Sequence, residues 1–275
     1  LADIQIQAEA TPQSMDELRR AIGDLSTTNA QSRISLAQSA KAMVDLQGTA
    51  GLSADKLKIL SDASLATGAP VEELAGLVYS LQNAFDLASA KDLEAGLSSI
   101  VAAGKAGSIP LGEMNLILQQ NAKTFSRFAA TGTDGAADIA SAFQVLRQSF
   151  GSAGEAGTGL SSLMGLFETR AVELRKVGIH VKDANGQLRD MRSILDQIEA
   201  SGILGNDRKY NKAFGKRKEA RKALIGMMGE QRRRFEELAT ASKGADDIQS
   251  DAEKRRLTRS FRINQWFIRM KETLL

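Results

Sequence analysis

Apolar residues recur at three- and four-residue spacing through most of this chain, and glycines interrupt them at short intervals. That pattern fits amphipathic helices joined by tight turns and fits strands poorly. Leu74, Leu77, Val78, Leu81 and Phe85 make one stripe, and Leu93, Leu97 and Ile100 a second. Leu111, Met114, Leu118, Phe125 and Phe128 make a third, and Ile139, Phe143, Leu146 and Phe150 a fourth. Glycines at 104, 107, 132, 135 and 151 punctuate them. An aromatic content of 5% and only 3 Pro agree with a mainly α fold. Stripes of this kind build cores far more often than cofactor pockets.

The first fifty residues carry a different repeat. After Thr11-Pro12, which suits a helix start, Met15, Leu18, Ile22, Leu25, Leu36, Met43 and Leu46 fall on the a and d positions of one unbroken heptad frame. Its remaining core places are Asn29, Ser32 and Ser39, a polar waist. A buried Asn at an a position fixes register and strand number, so the frame suits a parallel coiled coil between identical chains. It suits equally an amphipathic helix packed on its own domain. Gly48 and Gly51 are expected to end this helix, and Ser53 and the Ala69-Pro70 junction to start the next two. The expected organisation is an N-terminal helix over 1–50, a compact helical core over 51–176, a hairpin and basic helix belonging to that core over 177–230, and an extended basic amphipathic helix over 231–275.

Reactive chemistry has little to work with. With no Cys there are no disulfides or thiolate metal sites, and a single His leaves no histidine-based zinc site. The run GSAGEAGTGL at 151–160 lacks the Gly-Lys-Ser/Thr ending and the preceding strand of a phosphate loop, and reads as a helix start. His180 has no partnered Ser, Cys or second His in any recognisable motif. No cofactor and no catalytic residue is expected. Uncharged stretches reach only 12 residues, Leu74 to Phe85 and Ala156 to Phe167, against the about 20 that a bilayer needs. LADIQIQAEA has neither the basic nor the apolar region of a signal peptide. The chain opens at Leu1 and is expected to belong to a longer polypeptide.

One stretch breaks the helical pattern. In VGIHVKDANGQLRDM, residues 177–191, Ile179 and Val181 alternate with His180 and Lys182, Asn185-Gly186 suits a type I′ turn, and Leu188 would lie on the returning strand. The spacing predicts a small β-hairpin over about 179–189, laid against helices that end near Val177 and start near Met191, since a lone two-stranded ribbon is marginal in water.

Helix, VGIHVKDANGQLRDM, then a helix with Ile194, Leu195 and Ile198 on one side resembles the core region of the phage tail tape measure protein family. In that family a similar glycine-apolar segment, an acidic-alanine-asparagine-glycine turn and an arginine-aspartate helix start follow one another. GLSADKLKILSDASLATGAPVEELAGLVYSLQNAF looks like its first core helices, LGEMNLILQQNAKTFSRFAATG like its middle, AGEAGTGLSSLMGLF like the segment before its hairpin, and YNKAFGKRKEARKALIGMM like its phenylalanine-glycine helix. Coverage is about residues 51 to 260. Two departures stand out: the core between Ala84 and Thr131 is shorter, and the basic run KRKEARK replaces smaller residues after Phe214-Gly215.

The resemblance implies a non-enzymatic virion component. It would be assembled in the host cytoplasm, lie in the tail tube as a homo-oligomer of three or six copies, set tail length, and leave ahead of the DNA to help it cross the host envelope. Its implied partners are the tail tube protein, tail tip or baseplate hub proteins, tail assembly chaperones and the host membrane on ejection; a DNA contact is an option that rests on the basic residues alone. Wholly helical, the chain would reach only about 410 Å, so the extended tape is expected outside these residues. A helical scaffold or pore-forming protein of another injection apparatus accounts for composition and heptads but not for the ordered segments. A lytic transglycosylase would need a catalytic carboxylate in a recognisable cleft motif.

Charge is uneven. From Ser201 onward there are 19 Lys and Arg against 10 Asp and Glu, net +9, which against the total of +3 leaves −6 for residues 1–200. In EKRRLTRSFRINQWFIRMKETLL, Leu257, Ile263, Met270 and Leu274 mix with the candidate membrane or partner contacts Arg255, Arg256, Arg259, Phe261, Arg262, Trp266 and Phe267. The mixture suits a helix on an anionic membrane surface and also a bundle helix with basic flanks. The solvated face of a long helix and a nucleic-acid contact remain open.

Overall fold

The structure, a computed structural model, describes residues 1–48, 53–106, 109, 111–126, 132–245 and 247–273. Expectations on Gly51, Gly107, Phe128 and Leu274 lie outside these residues. Sixteen α-helices occur among the described residues: α1 Ala2–Gln7, α2 Pro12–Thr28, α3 Arg33–Gln47, α4 Ala54–Thr67, α5 Val71–Phe85, α6 Ala90–Ala106, α7 Leu111–Phe125, α8 Gly132–Leu146, α9 Ala153–Thr169, α10 Ala171–Arg175, α11 Met191–Ala200, α12 Asp207–Phe214, α13 Lys218–Ile225, α14 Glu230–Ser242, α15 Asp247–Arg256 and α16 Arg259–Thr273. Their starts follow local chemistry. Thr11, Ser32, Ser53, Ser152, Asp190 and Asn206 each accept a hydrogen bond from a backbone N–H in the first turn, satisfying a donor the helix itself cannot.

Consecutive helices alternate between two layers. One row runs α3, α5, α7, α9 and then α13, each packed on the one before; the other runs α4, α6, α8, and α2 closes the near end against α3 and α4. The apolar stripes meet between the rows. Leu74, Leu77, Val78, Leu81, Phe85, Leu93, Leu97, Ile100, Phe143 and Leu146 are all nearly inaccessible. Each fully buried side chain of this size contributes about 1.5–3 kcal/mol. From α14 onward the chain turns back along the second row as a strap: α14 lies on α8 and α6, α15 on α6 and α4, and α16 on α2.

No β-hairpin forms. Among the described residues the segment holds only one isolated antiparallel bridge, Lys182 with Leu188, and no strand. Two backbone bonds cross between the arms, Asp183 N to Gln187 O at 2.8 Å and Arg189 N to Val181 O at 2.9 Å, but the Gln187 amide that would complete the first pair goes to a side chain. Gln197 accepts from His180 N at 2.7 Å and donates to His180 O at 3.2 Å. The Asp183 carboxylate accepts from Asn185 N and Gln187 N, both at 2.9 Å, which closes an Asx turn in place of type I′. Gly186 has φ 80 but Asn185 is absent from the positive-φ residues, so the pair of left-handed residues that type I′ requires is missing. Ile179, Val181 and Leu188 are buried regardless, and Asn185 and Gly186 form an exposed tip.

Both terminal segments are broken helices where longer ones were expected. The N-terminal frame stops at Asn29, passes Ala30 at φ 53 and restarts at Ser32. The described residues of 231–275 lie in or beside three helices, α14, α15 and α16, that fold back on the core.

The glycine-dense run 151–160 serves close packing. A Cβ on Gly157 would sit 2.8 Å from Ile117 Cγ2, where α9 meets α7. Gly157→Ala is expected to lower unfolding stability by about 1–3 kcal/mol, whereas Gly165→Ala, with nothing within 4 Å of the new methyl, should raise it by about 0.5–1 kcal/mol. Urea denaturation of the two variants checks the contrast.

Candidate interaction surface on the C-terminal strap

The strap is fastened by polar side chains along its length. Lys243 at the end of α14 reaches Asp134 of α8 at 2.9 Å. Arg232, nearly buried, pairs with Asp196 at 2.6 Å and Glu236 at 2.8 Å and donates to Arg192 O, while Arg192 pairs with Asp138 of α8 at 2.6 Å. Burial pushes the Asp138 carboxyl up, and the Arg192 hydrogen bond and charge oppose it without cancelling it. On α15, Gln249 donates to Glu94 at 2.6 Å, and Asp251 pairs with Lys105 at the end of α6. Burial raises the Asp251 carboxyl, but the Lys105 hydrogen bond and charge, joined by Lys254, outweigh it and hold the group below the ordinary carboxylate range.

The strap ends in a buried cluster. Asp62, in the middle of α4, has a side chain 3% exposed and takes Arg256 Nη2 on Oδ1 and Lys58 Nζ on Oδ2. Asn29 donates to Asp62 Oδ1 at 2.8 Å and to Ser61 Oγ at 2.7 Å, and accepts from Arg256 Nη2 at 2.9 Å. Gln31 binds Ser61 through both amide atoms, and Gln265 of α16 donates to Thr27 O at 2.7 Å. Four parts of the chain, near residues 29, 62, 256 and 265, thus share one polar knot.

Beyond the knot, α16 leaves the core with an open side. Phe261 is buried, but Ile263, Trp266, Phe267 and Met270 are 42–56% exposed at three- and four-residue spacing, and the Trp266 and Phe267 rings meet edge to face at 5.1 Å. Arg259, Arg262 and Lys271 stand exposed around them.

The residues singled out from the sequence have divergent fates. Met15, Leu18, Ile22, Leu25, Leu36 and Met43 are at most 7% exposed and pack inside the chain, Asn29 is held in the knot, and only Leu46 of that set is open, at 42%. Arg256 is in the knot. Arg255 lies against Gly68 and, with Lys105, Asp251 and Lys254, lines a cleft of about 520 Å³ between α4, α6 and α15. Among the described residues no group of three His, Cys, Asp or Glu is placed to hold a metal ion, and no helix is long and apolar enough to cross a membrane. The decisive partner Asp62 was missed by pattern reading, although a carboxylate beside Ile59, Leu60 and Ala63 was a visible anomaly.

A sequence profile described as "Phage-related minor tail protein" matches residues 19–243. The chain belongs to the phage-related minor tail protein family. No curated protein and no solved structure matches it. As a minor tail protein it is a structural component of the virion tail. The matched span runs from within α2 to the end of α14, taking in both helix rows, while α15 and α16 lie beyond it.

Arg256→Ala leaves Asp62 buried with Lys58 as its one remaining cation and should cost about 1–3 kcal/mol, a range lowered because Arg256 is itself partly exposed. Hydrogen exchange should then speed up in α15 and α16 before the rest of the fold. Because the Asp251 carboxyl is depressed, its contribution is complete above about pH 4 and is lost as pH falls through the lowered value. The melting temperature of Asp251→Asn should therefore fall less steeply than that of the wild type as pH is lowered below about 4.

Proposed function

We propose that this tail protein is the tape measure of its phage, a mechanical part with no enzymatic step. It lies in the tail tube during assembly, sets tube length, and leaves ahead of the DNA to assist passage across the host envelope. The observation that carries this reading is the family match across residues 19–243, which spans the same segments that resemble tape measure proteins. The open stripe on α16 supports it. Ile263, Trp266, Phe267 and Met270 present an apolar face that sister copies packed side by side in a narrow bore would bury. In this reading three or six copies lie together against the tube protein, meet tip or hub proteins at one end, and are held by assembly chaperones beforehand.

One observation favours a second reading. An exposed Trp-Phe pair with Arg259, Arg262 and Lys271 around it is also the composition of a helix lying on an anionic membrane. That contact fits the ejection step, or a membrane-active helical protein of another injection apparatus should the length-setting role fail.

In-frame insertion of helix-forming residues into the gene should lengthen the tail by about 1.5 Å per inserted residue, read from electron micrographs of assembled virions. Tails of unchanged length with the insert-bearing protein incorporated would overturn the tape measure reading.

A further inference from the structure

The basic run KRKEARK at residues 216–222 opens α13, the last helix of the first row, but most of its charges are not spent in packing that helix. Over residues 207–222 eight Lys and Arg stand against two acids, Asp207 and Glu219, a net of 8 − 2 = +6. One of those acids is already engaged. Arg221 pairs with Asp207 and its guanidinium lies 4.7 Å over the Tyr210 ring, which fastens α13 to α12. Gly215 turns the corner between them at φ 78, and a Cβ there would lie 2.7 Å from Arg170 Nη2, so this turn takes glycine. The apolar side chains of both helices, Tyr210, Phe214, Ala220 and Leu224, face inward and are buried. The outside is left to cations. Arg208, Lys209, Lys212, Lys216, Arg217 and Lys218 are exposed and make no ion pair among the described residues. Lys209 and Lys212 share a cleft of about 470 Å³ with Lys176, just after α10, and with one acid, Glu173, and Lys218 shares another of about 520 Å³ with Lys222 and the acids Glu155 and Glu219.

The geometry points to a binding surface for the phosphodiester backbone of duplex DNA on the corner built by α12 and α13, without readout of bases. Each helix is 8 residues long, about 12 Å at 1.5 Å per residue, and the Arg221–Asp207 pair draws α13 back toward the start of α12, so the corner spans about one helix length, roughly a third of a 34 Å duplex turn, along which phosphates arrive every ~1.7 Å. Three anionic partners could meet such charge, and the apolar surface separates them. A folded acidic protein would be gripped at an interface core poor in Lys and rich in aromatics, and an interfacial membrane helix would need a continuous apolar face. Here the exposed large apolar side chains on the flanking helices are Val172 and Ile225, with no aromatic ring. Charge without an apolar anchor is sufficient for phosphate contacts, whose affinity comes from counterion release. The surface lies beyond the length-setting role and does not depend on it, because binding is read on the purified chain.

The test is fluorescence anisotropy of the full 275-residue chain with two about 30-bp duplexes of unrelated sequence. Both should bind equally, and affinity should fall about a thousandfold between roughly 50 and 200 mM salt, as expected for about six neutralised phosphates. The combined variant Lys212→Glu, Lys216→Glu, Arg217→Glu and Lys218→Glu should lose at least about a hundredfold with unchanged circular dichroism. Glu219→Lys, which adds a cation to the same surface, should bind several-fold tighter, and Arg20→Glu on α2 should bind as the wild type does. The inference is overturned if duplex fails to bind at low salt, if the combined variant binds as well as the wild type, if Glu219→Lys brings no gain, or if phosphatidylglycerol vesicles or polyglutamate bind more tightly than duplex at equal salt.

Discussion

A carboxylate inside a helix core has to find a cation or surrender its charge, and in this protein that requirement falls on Asp62. Its side chain is almost closed to water, and both oxygens are held by cations, Lys58 from its own helix and Arg256 from the far end of the chain. Desolvating an unpaired carboxylate would cost several kcal/mol, so the fold is complete only when the last helices have come back to α4. Asn29 belongs to the same requirement. Its amide bridges Ser61, Asp62 and Arg256, which fixes the bend between α2 and α3 at the place where the strap arrives. The two chain ends are therefore tied to each other through one buried polar knot, and the helix rows between them are enclosed.

The rows themselves depend on small side chains. Gly157 opposite Ile117 and Gly159 opposite Phe150 bring α9 close to its neighbours, and the alanine-rich α8 is buried over most of its length. Helices that approach this closely bury much area per residue with few aromatics. The result is a two-layer body whose apolar stripes are used up internally. The apolar face of α16 is left open, along with the basic corner at α12 and α13. For a tail component these open features are where other molecules can be met, since the interior offers no cleft with convergent reactive groups among the described residues.

The basic residues of the C-terminal third show how context divides a uniform composition. Arg232 is buried against Phe235 and carboxylates, Arg256 is locked in the knot, and Arg221 serves as a clasp between two short helices. Lys212, Lys216, Arg217 and Lys218 stand in water. In the linear chain they look alike. A paired cation adds to rigidity and an unpaired one adds to the external field, and only the latter can attract a polyanion.

The helical class, the stripes and the starts at Thr11-Pro12 and Ser53 were legible in the amino-acid order, because each is written in neighbours within a turn or two, while the tail family was legible only as a resemblance carried by several segments in succession. The heptad frame was equally visible and equally local, yet Met15, Leu18 and Ile22 found partners inside the chain, and Asn29 closed a bend instead of sitting at the axis of a rod. The hairpin failed for the same reason. Alternation at Ile179 and Val181 set which side chains are buried, but the Asp183 carboxylate captured the Gln187 amide that pairing needed. Periodicity reports which face of a segment avoids water and is silent on what covers it. That covering is decided by contacts separated by as many as 238 residues, such as Gln265 on Thr27 O, and such contacts exist only once the whole chain has closed.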